Sequence, residues 1–333
     1  MSPRARNETG GGTRRELLRL PSTWQTLAAD AAWRVRYRRP VPSLPPTWPV
    51  PAADAARVVL RWPARYAWPP SSIYVDPLRT GLSRLVRIEP AEIPQPYRGV
   101  VMLEATVDGR RHDIAVDYGD DPELQTEAVA RSSLYFKMQF LDEGYGHGTV
   151  VPGGFVPASQ SVYRYLAPLR ALRDEPRFAA DVYGRFRLSD RVDVRRRAVE
   201  MLSEQSRFSY RGDDGLVLYT RHLRDIALAR VCLDLPGLSP ICFRLIDYLA
   251  VGACVVGPRP RTRLHVPLEE GRHVTYVPDD VEGLVDACAA LVADEATRER
   301  RCRETSEFFD RYLHRDQLAG YYLRTLLDTL ASR

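Results

Sequence analysis

Between Val231 and Pro258 the chain reads VCLDLPGLSPICFRLIDYLAVGACVVGP, and two side chains in it could share one ligand. An apolar strand ends at Pro236-Gly237, Ser239 has the residue type of an N-cap, and Pro240 suits the first turn of the helix that follows. That places a helix N-terminus at the carboxyl edge of a sheet, where free N–H groups and the helix dipole favour a phosphate. Arg244 and Asp247 stand three apart on this helix, so the pattern puts them on one face, about 4.5 Å apart along the axis. A guanidinium pairs with a diphosphate, and a carboxylate accepts both hydroxyl protons of a ribose. The competing reading is an i,i+3 ion pair on a solvated helix face, worth a few tenths of a kcal/mol.

Other residues could extend such a site. Arg185, next to Gly184 after the strand-like DVY at 181–183, could reach a diphosphate, or be one more surface Arg. Lys137 is the only lysine beside 47 arginines, a skew expected of GC-rich coding, and its survival suggests a phosphate or acceptor contact. Asp117, Asp120, Asp121, Glu143 and His147 stand where a base abstracting an acceptor proton would be needed, His147 between Gly146 and Gly148, where a solvated loop histidine is the competing reading. The pairs Asp120-Asp121, Asp213-Asp214 and Asp279-Asp280 read as turn or cap residues, so no metal site is expected.

These residues need a scaffold. Between Ile73 and Tyr118 the pattern is strand-like, with VVMLEATV at 100–107 and HDIAVDY at 112–118 flanking Asp108-Gly109, a hairpin signal, and a short helix over 123–132 and a buried strand over 133–140 follow. The apolar TVVPGGFVP at 149–157 reads as an interdomain junction. Beyond it, strands at 180–184, 231–235, 253–257 and 273–277 alternate with helices over 190–206, 219–229, 240–250 and 280–313. This is the pattern of a parallel α/β sheet. A last helix is expected over Asp316–Leu330.

The chain of 333 residues has a net charge of +5, concentrated before residue 60, where ten arginines face four acidic residues. Six prolines between 40 and 51 read as a linker or a strapped-on arm. No window offers the ~20 apolar residues of a membrane span, and no secretory leader is readable, so a cytoplasmic protein is expected. Five cysteines without CxxC spacing indicate neither disulfides nor zinc.

The segment FRLIDYLAVGACVV at 243–256 resembles the donor-binding segment of exostosin-like GT-B glycosyltransferases, with an Arg three residues before an acidic residue and a small-Gly-Cys-apolar strand after it. TVVPGGFVP resembles their interdomain turn, and DVYGRF at 181–186 their first nucleotide-domain strand. The chain departs from the two-glutamate retaining branch, carrying Ser239 in place of a glutamate. The resemblance implies an α/β protein of two Rossmann-like domains, the first abbreviated or diverged. It would comprise a basic arm (1–50), an acceptor-side domain (51–158), a nucleotide-sugar domain (159–315) and a helix (316–333) returning to the first domain. It implies sugar transfer from a nucleoside-diphosphate donor to a glycan or small-molecule hydroxyl acceptor, independent of metal and with no cofactor beyond the donor. Asp247 would hold the ribose. Arg244, Ser239, Gly237, Arg185 and Lys137 would bind the donor, and Arg244, His147 and Asp117 would do the chemistry. The alternative is a non-catalytic binding protein whose basic arm engages nucleic acid or a protein; the near-neutral body and the lack of an RNA-binding motif argue against nucleic acid.

Overall fold

The computed structural model describes residues 44–175, 177–188, 193–212 and 217–330, with a few isolated positions between 24 and 35. Most of the basic arm and the Asp213-Asp214 pair lie outside the described residues. The architecture is α/β, with two main sheets.

The first sheet uses β1 (Val58–Pro63), β2 (Arg87–Ala91), β3 (Val100–Val107), β4 (Arg110–Asp117), β5 (Leu134–Lys137) and β7 (Val150–Pro152), in the order β2-β1-β3-β4-β5-β7. It is mixed: β4, β5 and β7 run parallel, while β3 is antiparallel to both β1 and β4. Asp108 and Gly109 turn the β3–β4 hairpin with φ of 50° and 80°, the conformation an Asp-Gly pair adopts at least cost. Val101 and Leu103 bury one face of the sheet and Val100 and Met102 the other, which is why VVMLEATV is almost continuously apolar. Helices α1 (Ala52–Ala55), α2 (Ser71–Leu82) and α3 (Thr126–Arg131) belong to this half.

After α4 (Val162–Arg173) comes a five-stranded, wholly parallel sheet of β8 (Ala180–Tyr183), β9 (Tyr210–Arg211), β10 (Ala229–Leu233), β11 (Cys254–Pro258) and β13 (Val274–Val277). Its order is β13-β11-β10-β8-β9, so the winding direction reverses between β8 and β10. Helices α5 (Asp193–Glu204), α6 (Tyr219–Ala227), α7 (Phe243–Val251), α8 (Leu284–Ala293) and α9 (Glu295–Phe308) complete this half. Leu202 of α5 and Leu284 of α8 bury one sheet face, Ile226 of α6 and Leu249 of α7 the other.

The last helix, α10 (Arg315–Leu330), crosses back onto the first half. Its backbone approaches α2 so closely that a Cβ on Gly81 would sit 2.4 Å from the Arg315 carbonyl oxygen. Tyr322 stacks on Phe136 of β5 at 3.9 Å, and Arg84 pairs with Asp316 at 2.7 Å. The proline-rich run is strapped to the same helix: Gln317 donates to the Pro45 carbonyl, and Trp48 packs against Tyr321 and His265. A two-stranded pair, β6 (Phe140–Leu141) with β12 (Thr262–Arg263), links the halves.

Three expected elements are corrected. The helix expected from 240 starts at Phe243, with Cys242 at its N-cap (φ −109°, ψ 154°) and Ser239 and Pro240 in the preceding loop. Gln139 explains the shift, because its side chain occupies both the N–H and the carbonyl of Ile241 and so withholds that residue from the helix. The single helical pattern over 280–313 is divided at Asp294, whose carboxylate caps α9 by accepting the Thr297 N–H, and it ends in a π-turn over Phe309–Leu313. The first part of the apolar junction sequence is strand β7.

Candidate functional site

In open α/β sheets ligands settle outside the carboxyl ends of the strands, where the winding reverses. Here that point lies between β8, followed by Gly184, Arg185 and Phe186, and β10, followed by Asp234. Arg244, the second residue of α7, reaches into it. Its guanidinium donates to the Leu235 carbonyl at 2.5 Å and the Arg185 carbonyl at 3.4 Å, lies 4.6 Å over the Phe186 ring, and brings Nε within 3.5 Å of Asp234 Oδ1. With 12% of its side chain exposed, Arg244 ties the two strand-end loops together. Burial pushes the Asp234 carboxyl up, opposed by the Arg244 charge. Beneath them His222 shares a 2.8 Å hydrogen bond with Tyr183, and burial, then Arg244 and Arg185, push its imidazole down to about 3.

Asp247 takes a different direction from Arg244. It is 1% exposed, and Oδ1 accepts the Tyr219 hydroxyl at 2.7 Å and the Ala158 N–H at 3.3 Å. Burial, against those two bonds, pushes its carboxyl up to about 7. The expectation that the pair grips one ligand from one helix face is therefore corrected: packing of α7 against α6 and the 155–159 segment gives each side chain its own partners.

Outside β10 and β11 opens a cavity of about 270 Å³. Asp234, Gly237, Leu238, Arg259, Arg261 and Asp279 line it together with four prolines. Arg259 lies 4.4 Å over the Tyr276 ring, and Leu238 is 71% exposed. Of these residues sequence reasoning placed Gly237 alone in the site and read Asp279 as a turn or cap residue. Asp234 carried a signal, as the charged residue that ends an apolar strand, whereas Arg259 and Arg261 were hidden among many arginines.

A second cavity, of about 640 Å³, lies at the carboxyl ends of β4 and β5. Asp117 and Lys137, the last residues of those strands, are 2% and 1% exposed and pair at 2.9 Å. Asp117 also accepts the Tyr135 hydroxyl and, at 2.8 Å, the Gly119 N–H. Burial and the Asp117 charge push the Tyr135 phenol up. Tyr74 stacks on Tyr118 at 4.6 Å and touches Phe243 of α7 at 4.8 Å, so this cavity abuts the start of the helix that carries Arg244. His147 lies elsewhere, exposed on the loop before the amino end of β7 and lining neither cavity.

The carboxyl edges of the two sheets thus face each other, joined by Gln139 with Ile241, Tyr74 with Phe243, and β6 with β12. Among the described residues no three His, Cys, Asp or Glu side chains gather to hold a metal ion, and no helix is long and apolar enough to cross a membrane. No family model and no curated protein matches this chain.

Proposed function

We propose that the chain is a glycosyltransferase of the exostosin-like GT-B type, built from two Rossmann-like units of which the first has diverged by acquiring the β3–β4 hairpin. The observation that carries this reading is the opposition of two strand-end cavities across the N-terminus of α7, one lined by Arg259 and Arg261 together with Asp234 and Asp279, the other by the carboxylates Asp117, Asp120, Asp121 and Glu123. The nucleoside-diphosphate sugar occupies the crevice outside β10 and β11. Arg259 and Arg261 meet the diphosphate, and the Asp234 carboxylate accepts a ribose hydroxyl over Gly237. Arg244, with a donor on each terminal guanidinium nitrogen committed to a loop carbonyl, acts as a positioning residue that fixes both strand ends.

The acceptor lies against the first sheet. Its oxygen forms a bond to the anomeric carbon as the bond from that carbon to the β-phosphate oxygen breaks, the nucleoside diphosphate leaving with the electron pair. The acceptor proton passes to a carboxylate of the first half, where Asp120 and Glu123 are exposed and Asp117 anchors Lys137. Catalysis then comes from positioning and from charge placed at the leaving group.

Calorimetry with UDP, GDP, ADP and dTDP tests the reading. One saturable event with at least one of them is expected, and silence with all four overturns it.

A further inference from the structure

The larger cavity carries a chemical signature beyond its place in the fold, and from it we infer that it binds an uncharged sugar ring and rejects acidic or phosphorylated ones. The inference rests on the transferase reading for the sugar's role as acceptor, and on the cavity's own residues for the binding.

Three features select this ligand. The first is size, since about 640 Å³ lies in the range of small-molecule sites and holds one or two pyranose rings. The second is the floor. Lys137 is 1% exposed, and among the described residues Asp117 is its one hydrogen-bond partner, although an ammonium has three N–H groups to donate. A buried donor with spare capacity beside open space calls for an oxygen acceptor, while the Asp117 charge already balances the ammonium. The oxygen required is therefore neutral, as in a hydroxyl.

The third feature is the wall. Asp120, Asp121 and Glu123 are exposed carboxylates on the lining, faced by the single exposed cation Arg98. Carboxylates only accept hydrogen bonds, so they suit hydroxyl donors and repel carboxylates and phosphates. Trp68 adds a plate with 46% of its surface exposed; the Arg98 guanidinium lies 5.3 Å over one face of the indole, and the other face offers its negative π-surface to the polarised C–H edge of a sugar ring. A polyol offers hydroxyls that donate to the wall and accept from the floor, together with C–H groups for the plate.

Saturation-transfer difference NMR on the full chain, without nucleotide, tests the inference. Methyl glycosides of glucose, galactose, mannose and N-acetylglucosamine serve as neutral probes, glucuronate and glucose 6-phosphate as anionic ones. Transfer to ring protons of at least one neutral glycoside is expected, with none to the anionic pair. It should fall at least fivefold in Trp68→Ala and in Glu123→Gln, both at exposed positions, with circular dichroism unchanged. Absence of transfer to every neutral glycoside, equal transfer to the anionic probes, or signals unmoved by both variants would overturn it. Nucleotide calorimetry on the same preparation separates the two proposals. A protein that binds nucleotide and no neutral sugar sinks the sugar assignment alone, and one that binds sugar and no nucleotide sinks the transferase reading alone.

Discussion

Gln139 and Ile241 are bonded twice: the Gln139 amide nitrogen donates to the Ile241 carbonyl at 2.7 Å, and its oxygen accepts the Ile241 N–H at 3.1 Å. Both residues are 1% exposed, so this side chain replaces water for a backbone segment in the other half of the molecule. Gln139→Leu strands both backbone groups and should cost roughly 2–4 kcal/mol. Urea denaturation checks this; a loss below about 0.5 kcal/mol would show that the loop before α7 finds other partners.

The Asp117–Lys137 pair gives a second prediction. Removing one member of a buried pair leaves a charge uncompensated, so Lys137→Met should destabilise by roughly 3–5 kcal/mol. Adding Asp117→Asn removes that charge while leaving an oxygen for Tyr135 and Gly119, and should restore at least half of the loss. A double variant no more stable than the single would mean that packing of the Lys137 stem, not charge, dominates.

Asp247 makes stability fall as pH rises. Its folded carboxyl titrates at about 7 against about 3.9 in the unfolded chain, so the folded state holds the proton more tightly. The contribution is fully present below about pH 4 and is lost as pH approaches about 7. Asp247→Asn keeps the neutral form throughout, so its stability relative to the parent should rise across that window by on the order of 3 kcal/mol. His222, pushed down to about 3, acts with the opposite sign: its contribution is full above about pH 6.5 and is lost on acidification. Melting curves between pH 4 and pH 8 would refute the Asp247 assignment if parent and variant ran parallel.

In the proposed donor crevice, Arg259→Ala or Arg261→Ala should weaken a nucleoside diphosphate by roughly tenfold, the scale of one charge-assisted hydrogen bond. Affinity for the nucleoside alone should not change. Equal losses for both ligands in calorimetry would place these arginines against the base.

Much of the second half could be read directly. Apolar runs of about five residues ended in Pro, Gly or Asp, and strands formed at 229–233, 254–258 and 274–277 where such runs stood. The Asp108-Gly109 hairpin was equally plain, because its turn chemistry is local. Strand β1 went unseen because RWP ends it, and helix α2 formed in a stretch read as strand-like from Ile73 on: Pro77 lies inside it, so local propensity opposed the helix that packing against α10 supplied. At the site, Arg244 and Asp247 were visible as a pair because sequence spacing encodes helix faces. Their separation was not, because Tyr219, Ala158 and Arg185 come from distant parts of the chain. The arginines of the crevice had no local signal at all.

The crossing of α10 over α2 and β5 also bears on how the chain is made. A ribosome delivers residues 58–152 well before residues 315–330, so the face of the first sheet that holds Phe136 emerges without the helix that covers it. That apolar face stays open until the whole parallel sheet has been synthesised, and during the interval the nascent chain presents chaperones with a surface that the finished protein never shows.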